Sequence, residues 1–328
     1  MASTLNKTGI INGSTVEAYH VTQSIDAFTG IKAYDISLSG SFNVTGSING
    51  LCVSTGGGNV SSNISIGATT NFSSSATGGN NFAAGNGTLS KNTTGKYNTA
   101  IGYRALCSNT TGCYNTAIGI NALCLNSTGE HNTAIGEGAL RQNTTGFYNT
   151  AIGCNALYSN VSGSNNTAIG NQALCANTTG NDNTAIGCNA LCKNSGSNNT
   201  AIGCSALGAN TTGINNTAIG NQALCANTTG NDNTAIGCNA LCKNSGSNNT
   251  AIGCRALCAN TTGCYNTAIG NSALLFNTTG NYNVAIGRSA LIFNCIGTHN
   301  TAIGNQALWA NTTGCYNTAI GNSALCVN

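Results

Sequence analysis

Asn98-Thr-Ala-Ile-Gly-Tyr-Arg-Ala-Leu-Cys-Ser-Asn-Thr-Thr-Gly-Cys-Tyr114 is one period of a pattern that fills the rest of the chain. Further units begin at Asn115, Asn132, Asn149, Asn166, Asn183, Asn199, Asn216, Asn233, Asn249, Asn266, Asn283, Asn300 and Asn317. The period is 17 residues, except in the 16-residue units that start at Asn183 and Asn233. Asn at place one, Ala-Ile-Gly at places three to five, Ala-Leu at eight and nine, and Asn at twelve recur in all fourteen units. Asn165–Cys204 is repeated residue for residue as Asn215–Cys254. A chain that accepts a duplicated module in its middle grows by stacking, as solenoids do.

Upstream the pattern decays. Asn81–Tyr97 keeps Gly85, Leu89, Asn92 and Gly95 in register, and Asn63-Ile-Ser-Ile-Gly67 echoes the opening of a unit. The chain therefore divides into a leader over 1–62 for attachment or assembly, transition repeats over 63–97, and a fourteen-unit shaft over 98–328.

A unit of this length with Gly at places five and fifteen is too short and too turn-rich for a helical repeat. It fits a coil of an all-β parallel solenoid, or β-roll, with two short strands per coil, Thr-Ala-Ile-Gly and Ala-Leu-x, joined by two turns. The 16-residue units are shortened at Asn194-Ser-Gly196 and Asn244-Ser-Gly246, which marks that segment as a surface turn. Strand-on-strand stacking at about 4.8 Å makes fourteen coils roughly 65 Å long. Alternation along the strands places Ile at four and Leu at nine in the coil core: Ile101 with Leu106, Ile118 with Leu123, Ile135 with Leu140. Ala at three and Gly at five then form an opposite face of small residues, which either packs closely on another chain, pointing to a homo-oligomer, or simply suits a tight coil.

Composition agrees. The 328 residues include 44 Gly, 18 Cys and no Pro, with 5% charged, 5% aromatic and a net charge of +3. So few titratable groups argue against an enzyme. So small a net charge supplies no field for nucleic acid. No apolar run reaches the ~18–20 residues of a membrane span. No cofactor motif is present: Gly-Lys-Ser/Thr is absent, and so is the calcium-binding Gly-Gly-x-Gly-x-Asp repeat.

The recurring Asn-Thr-Ala-Ile-Gly resembles the head-domain repeat of YadA-like trimeric autotransporter adhesins, whose coils carry an Asn-Ser-x-Ala-Ile-Gly core. The likeness covers 98–328 and extends weakly over 63–97; this unit is longer than that family's and richer in Cys. It implies a left-handed parallel β-roll with three chains around one axis. The 17-residue form is also similar to repeats of viral and bacterial tail-fibre-like proteins. The leader segment Ala33-Tyr-Asp-Ile-Ser-Leu-Ser-Gly40 looks like the start of virion fibre proteins. Together these imply a homotrimeric fibre shaft on a virion surface or in an extracellular setting, used for attachment to a host surface or glycan.

Sixteen of the cysteines occupy fixed places, ten in Cys107, Cys124, Cys175, Cys192, Cys225, Cys242, Cys258 and Cys326, six in Cys154, Cys188, Cys204, Cys238 and Cys254, and sixteen in Cys113, Cys264 and Cys315, while Cys52 and Cys295 stand apart. Same-place cysteines in adjacent coils stand about 5 Å apart, within disulfide reach. The pairs of this kind are Cys107–Cys124, Cys175–Cys192, Cys188–Cys204, Cys225–Cys242 and Cys238–Cys254. They read either as disulfides, within or between chains, or as small apolar residues filling a stack. No Cys-x₂-Cys pair or His cluster marks a metal site. Asn-Thr-Thr turns such as those at Asn109, Asn143 and Asn260 are N-glycosylation sequons as well as turn formers. Tyr97, Tyr114, Tyr148, Tyr265, Tyr282 and Tyr316 share place seventeen and form a ridge for a glycan or a second fibre, or spacers of a coil edge. His131 and His299 fall at the same place and read as surface residues, far in sequence from His20.

The function expected is a non-enzymatic structural fibre. The alternative is a self-assembling extracellular filament, stacked head to tail because the last unit stops at place twelve without a polar cap. An ice-binding solenoid with Thr rows is a third.

Overall fold

The computed structural model describes residues 53–55, 63–66 and 77–327; all lie in one compact unit, Val44–Asn328. The leader motif and His20 lie outside the described residues, as does Cys52. Strand β1 (Val53–Thr55) pairs antiparallel with β2 (Ile64–Ile66). From β2 onward every pairing is parallel: β2 with β3 (Phe82–Ala84), β3 with β4 (Thr99–Ile101), and so on, one strand per unit, to β17 (Thr318–Ile320). The protein is thus an all-β parallel solenoid, and no helix occurs among the described residues.

Register is held place for place. Thr99 faces Thr116, Ala100 faces Ala117 and Ile101 faces Ile118. Across the 16-residue unit the match persists, Thr184 facing Thr200. The missing residue is absorbed in the Asn194–Gly196 turn rather than in the strand, because a one-residue slip would turn every side chain to the wrong face.

Two expectations about the coil are corrected. First, Ile is not in the core. In each Thr-Ala-Ile strand the Ala points inward and Thr and Ile outward; Ala100 is 0% exposed, while Ile101 and Ile135 are each 37% exposed and Ile118 is half-buried. Leu106, Leu123 and Leu140 are buried as expected, beside the Ala of places three and eight. The interior already holds one Leu, two Ala and two Asn per coil, so a tight coil has no room for Ile as well. The Ala column is consequently the interior of a single chain and cannot be a face for a second one.

Second, Ala-Leu-x is not a strand. The three-residue strand is the only one in each shaft coil, and the chain then corkscrews through left-handed backbone at places seven and nine, with φ of 55° at Arg104 and 50° at Leu106. An αL Leu is costly, about 1–3 kcal/mol. Complete burial of its side chain, worth about 1.5–3 kcal/mol, offsets that. The Leu106 amide still donates to the Ala122 carbonyl of the next coil (3.0 Å), so stacking bonds continue without a strand.

Two Asn columns run along the interior. At place one, Asn98 donates from its amide nitrogen to Asn81 Oδ1 (3.1 Å) and to the Gly112 carbonyl (2.9 Å), while its backbone N–H also reaches Asn81 Oδ1 (2.9 Å). At place twelve, Asn109 donates to Asn92 Oδ1 (2.8 Å) and to the Gly112 carbonyl (2.9 Å). Buried amides need partners, and here each coil supplies them to the next. Gly at fifteen follows from this: a Cβ on Gly112 would stand 2.5 Å from Asn109 Oδ1. Gly at five combines φ of +120° at Gly102 with a Cβ position 2.7 Å from the next coil's Gly119 carbonyl oxygen.

Candidate functional site

The surface carries three column systems. The first is the outer face of the sheet, where Thr (Val at 284) and Ile stand side by side in every shaft coil, with Ile half-buried at Ile118, Ile269 and Ile286 and exposed in the others. Ile at place four is 36–37% exposed in ten coils, from Ile101 to Ile303, and none of the described residues covers it. Because strands stack in register at about 4.8 Å, Thr and Ile form straight parallel rows, the Ile row apolar along the whole shaft.

The second system is the cysteine columns. Every described cysteine carries a free thiol. At place ten the sulfurs of Cys107 and Cys124 are 2.9 Å apart and those of Cys175 and Cys192 3.3 Å. Cys242 turns its sulfur to Cys258, at 2.7 Å, rather than to Cys225, whose thiol faces the Cys242 carbonyl at 3.4 Å. The sequence pairing Cys225–Cys242 is therefore replaced by Cys242–Cys258. At place six, Cys188, Cys204, Cys238 and Cys254 are exposed. Cys188 and Cys238 each accept from the following Asn amide. Cys204 lies 3.8 Å from the Ser205 hydroxyl. So place six brings no sulfurs together, and place ten does.

The environments of these pairs differ. The Cys124 thiol, the Ser108 hydroxyl and the Arg104 guanidinium hold the Cys107 thiol well below the usual thiol range, against the opposing effect of burial. Cys124 is pushed up by its hydrogen bond to Cys107 and by burial, with Arg104 and Arg141 pulling the other way. Burial, then the partner thiol, pushes Cys175 and Cys242 up.

The third system is aromatic, and it is larger than the Tyr ridge read from sequence. Tyr97, Tyr114, His131 and Tyr148 stack with ring centroids 4.9, 4.8 and 4.8 Å apart. Tyr265, Tyr282, His299 and Tyr316 repeat the same order at 4.9, 4.9 and 4.8 Å. The six Tyr thus fall into two ladders, each completed by a His. The shared place seventeen was the available signal. Every place-seventeen residue has φ of +54° to +59°, and the coils between the ladders put Asn165, Asp182, Asn198, Asn215, Asp232 and Asn248 there. Asn and Asp accept this backbone readily; for Tyr and His the stacking contacts compensate.

Asn109, Asn143 and Asn260 are 0% exposed and spend their amides on the interior ladder, so these sequons are closed to glycosylation in the folded coil. Among the described residues no group of three or more His, Cys, Asp or Glu is placed to hold a metal ion, and no helix is long and apolar enough to cross a membrane.

No family model, curated protein or solved structure matches the chain.

Proposed function

We propose that this chain is a non-enzymatic structural fibre, a rigid shaft of three identical chains that meet through their Thr–Ile faces, borne on a virion or in an extracellular setting and used for attachment. The observation that supports it is the in-register Ile row, 36–37% exposed in ten of the shaft coils. An apolar row of this length on a monomer is the kind of exposed surface that marks an interaction site. A partner must match rows repeating every ~4.8 Å along the whole shaft, and a second copy of the same solenoid does so coil by coil. The interface moves from the Ala–Gly face, whose Ala column is interior, to the Thr–Ile face, while the oligomer of the sequence reading is kept.

The two Tyr–His ladders lie outside that face. Their tyrosines are 49–77% exposed, and we assign them to the host surface or glycan. Native mass measurement of the full chain, combined with electron microscopy, tests the proposal. Discrete rods of three 32.7 kDa chains are expected. A monomer at micromolar concentration overturns the trimer, and rods of unlimited length favour the head-to-tail filament. Thermal hysteresis would favour the ice-binding reading of the same Thr rows.

A further inference from the structure

The place-ten column opens with Ser90, Cys107, Cys124, Arg141 and Tyr158. Its two thiols are in contact, 2.9 Å apart, and nearly enclosed, with Cys107 5% and Cys124 3% exposed. They belong to successive in-register coils, the separation at which a disulfide closes without moving the backbone. The charged groups acting on the pair are both cations: Arg104, beside Cys107 on its own coil, and Arg141, next along the column. Arg141 lies over the Tyr158 ring, 5.5 Å from its centroid, and donates to the Tyr158 hydroxyl, leaving its buried Nε–H without an acceptor. Of the other two sulfur pairs, Cys175–Cys192 has no arginine at place seven or ten of its coils; Cys258 has Arg255 at the place Arg104 holds beside Cys107, but the cation acting on Cys242 is Lys243 and neither pair has an arginine next along the column.

We propose that Cys107 and Cys124 are a peroxide-responsive thiol pair that closes into a disulfide between two successive coils, Cys107 attacking and Cys124 resolving. The Cys107 thiolate attacks one oxygen of hydrogen peroxide. The O–O bond breaks, the departing hydroxide takes the proton that Cys107 has released and leaves as water, and Cys107 becomes a sulfenic acid. The Cys124 sulfur then attacks the Cys107 sulfur; the S–S bond forms, the S–O bond breaks, and the hydroxyl leaves as water with the Cys124 proton. Two thiols lose two electrons and one peroxide becomes two waters. The roles follow from the surroundings: Arg104 and the Ser108 hydroxyl stabilise negative charge on Cys107, whereas Cys124 keeps its proton. Near-complete burial admits peroxide and hinders a bulky disulfide such as glutathione disulfide. The result is a covalent tie across the first two regular coils of the shaft.

The test uses the full chain, reduced and then exposed to hydrogen peroxide at pH 7, with timed alkylation and peptide mass spectrometry. The linked Cys107–Cys124 peptide, lighter by two hydrogens, is expected at least about tenfold sooner than the linked peptides of the other two pairs. Its rate should persist at pH 6, and glutathione disulfide should act more slowly than peroxide. In Cys124→Ser, Cys107 should stop at the sulfenic or sulfinic acid, and Arg104→Gln should slow closure severalfold. Equal rates at all three pairs, or a Cys107 that peroxide leaves as a thiol, would overturn the proposal; the comparison within the unmodified chain decides even where a variant folds poorly.

Discussion

Asn177 and Asn194 occupy the same place in adjacent coils, yet they do not bond: Asn177 Oδ1 is buried without a donor, while Asn194 Nδ2 goes to the Gly196 carbonyl at 2.8 Å. Elsewhere the place-twelve ladder is continuous, as in Asn160 to Asn143 at 2.8 Å. The break coincides with the 16-residue unit. In the duplicated copy the corresponding bond, Asn244 to Asn227, is stretched to 3.4 Å. A threonine inserted between Asn194 and Ser195 restores the Asn-Thr-Ser-Gly turn and should bring the donor back. Relieving one unsatisfied buried carbonyl is worth about 1–3 kcal/mol, so the denaturation midpoint should rise. No change would mean that the deletion leaves the ladder intact in solution.

Cutting a sound part of the ladder should do the reverse. Asn143 donates to Asn126 and Gly146 and accepts from Asn160. Asn143→Ala leaves Asn126 Oδ1 buried without a donor and should cost about 2–4 kcal/mol. In a solenoid each coil touches only its neighbours, so hydrogen exchange should quicken most between residues 126 and 163. Uniform acceleration along the shaft would contradict that locality.

Adjacent substitutions on one strand should have opposite signatures. Ala201 is 0% exposed and Ile202 is 37% exposed. Ala201→Leu overfills the coil and should destabilise it by about 1–3 kcal/mol or more. Ile202→Asp should leave the β circular-dichroism spectrum unchanged and weaken assembly, read by sedimentation. If Ile202→Asp unfolds the chain while Ala201→Leu is silent, the inward and outward sides are reversed.

His131 stacks between Tyr114 and Tyr148. His131→Tyr extends an all-Tyr ladder at a backbone that Tyr already adopts there, and should be close to neutral. His131→Ala removes two ring contacts, each about 0.5–1.5 kcal/mol, and should lower the local unfolding free energy accordingly. Equal stability of the two variants would show that the ladder contributes nothing.

Much of the fold was legible because a stack writes its period into the sequence. Period, parallel class and the location of the shortened turn follow from residues that must sit on their own copies. Alternation along Thr99-Ala100-Ile101 shows that Thr and Ile share a side but not which side is inward. Volume decides that: Leu106 and the Asn columns fill the coil and expel Ile. The second strand failed at Arg104 and Leu106, because neither residue type advertises left-handed backbone. At the surface, the place rule found the Cys107–Cys124 and Cys175–Cys192 contacts and the Tyr columns. It could not tell which neighbour Cys242 would take, since that depends on rotamers. His131 and His299 were visible at place seventeen, and only their stacking joins them to the tyrosines.

A cryo-electron-microscopy reconstruction of the full chain tests the proposed fibre most directly. Threefold density is expected in which the row from Ile101 to Ile303 of each chain is buried against its neighbours and both Tyr–His ladders remain outside. Isolated single solenoids, or an assembly that leaves the Thr–Ile face in solvent, would contradict it.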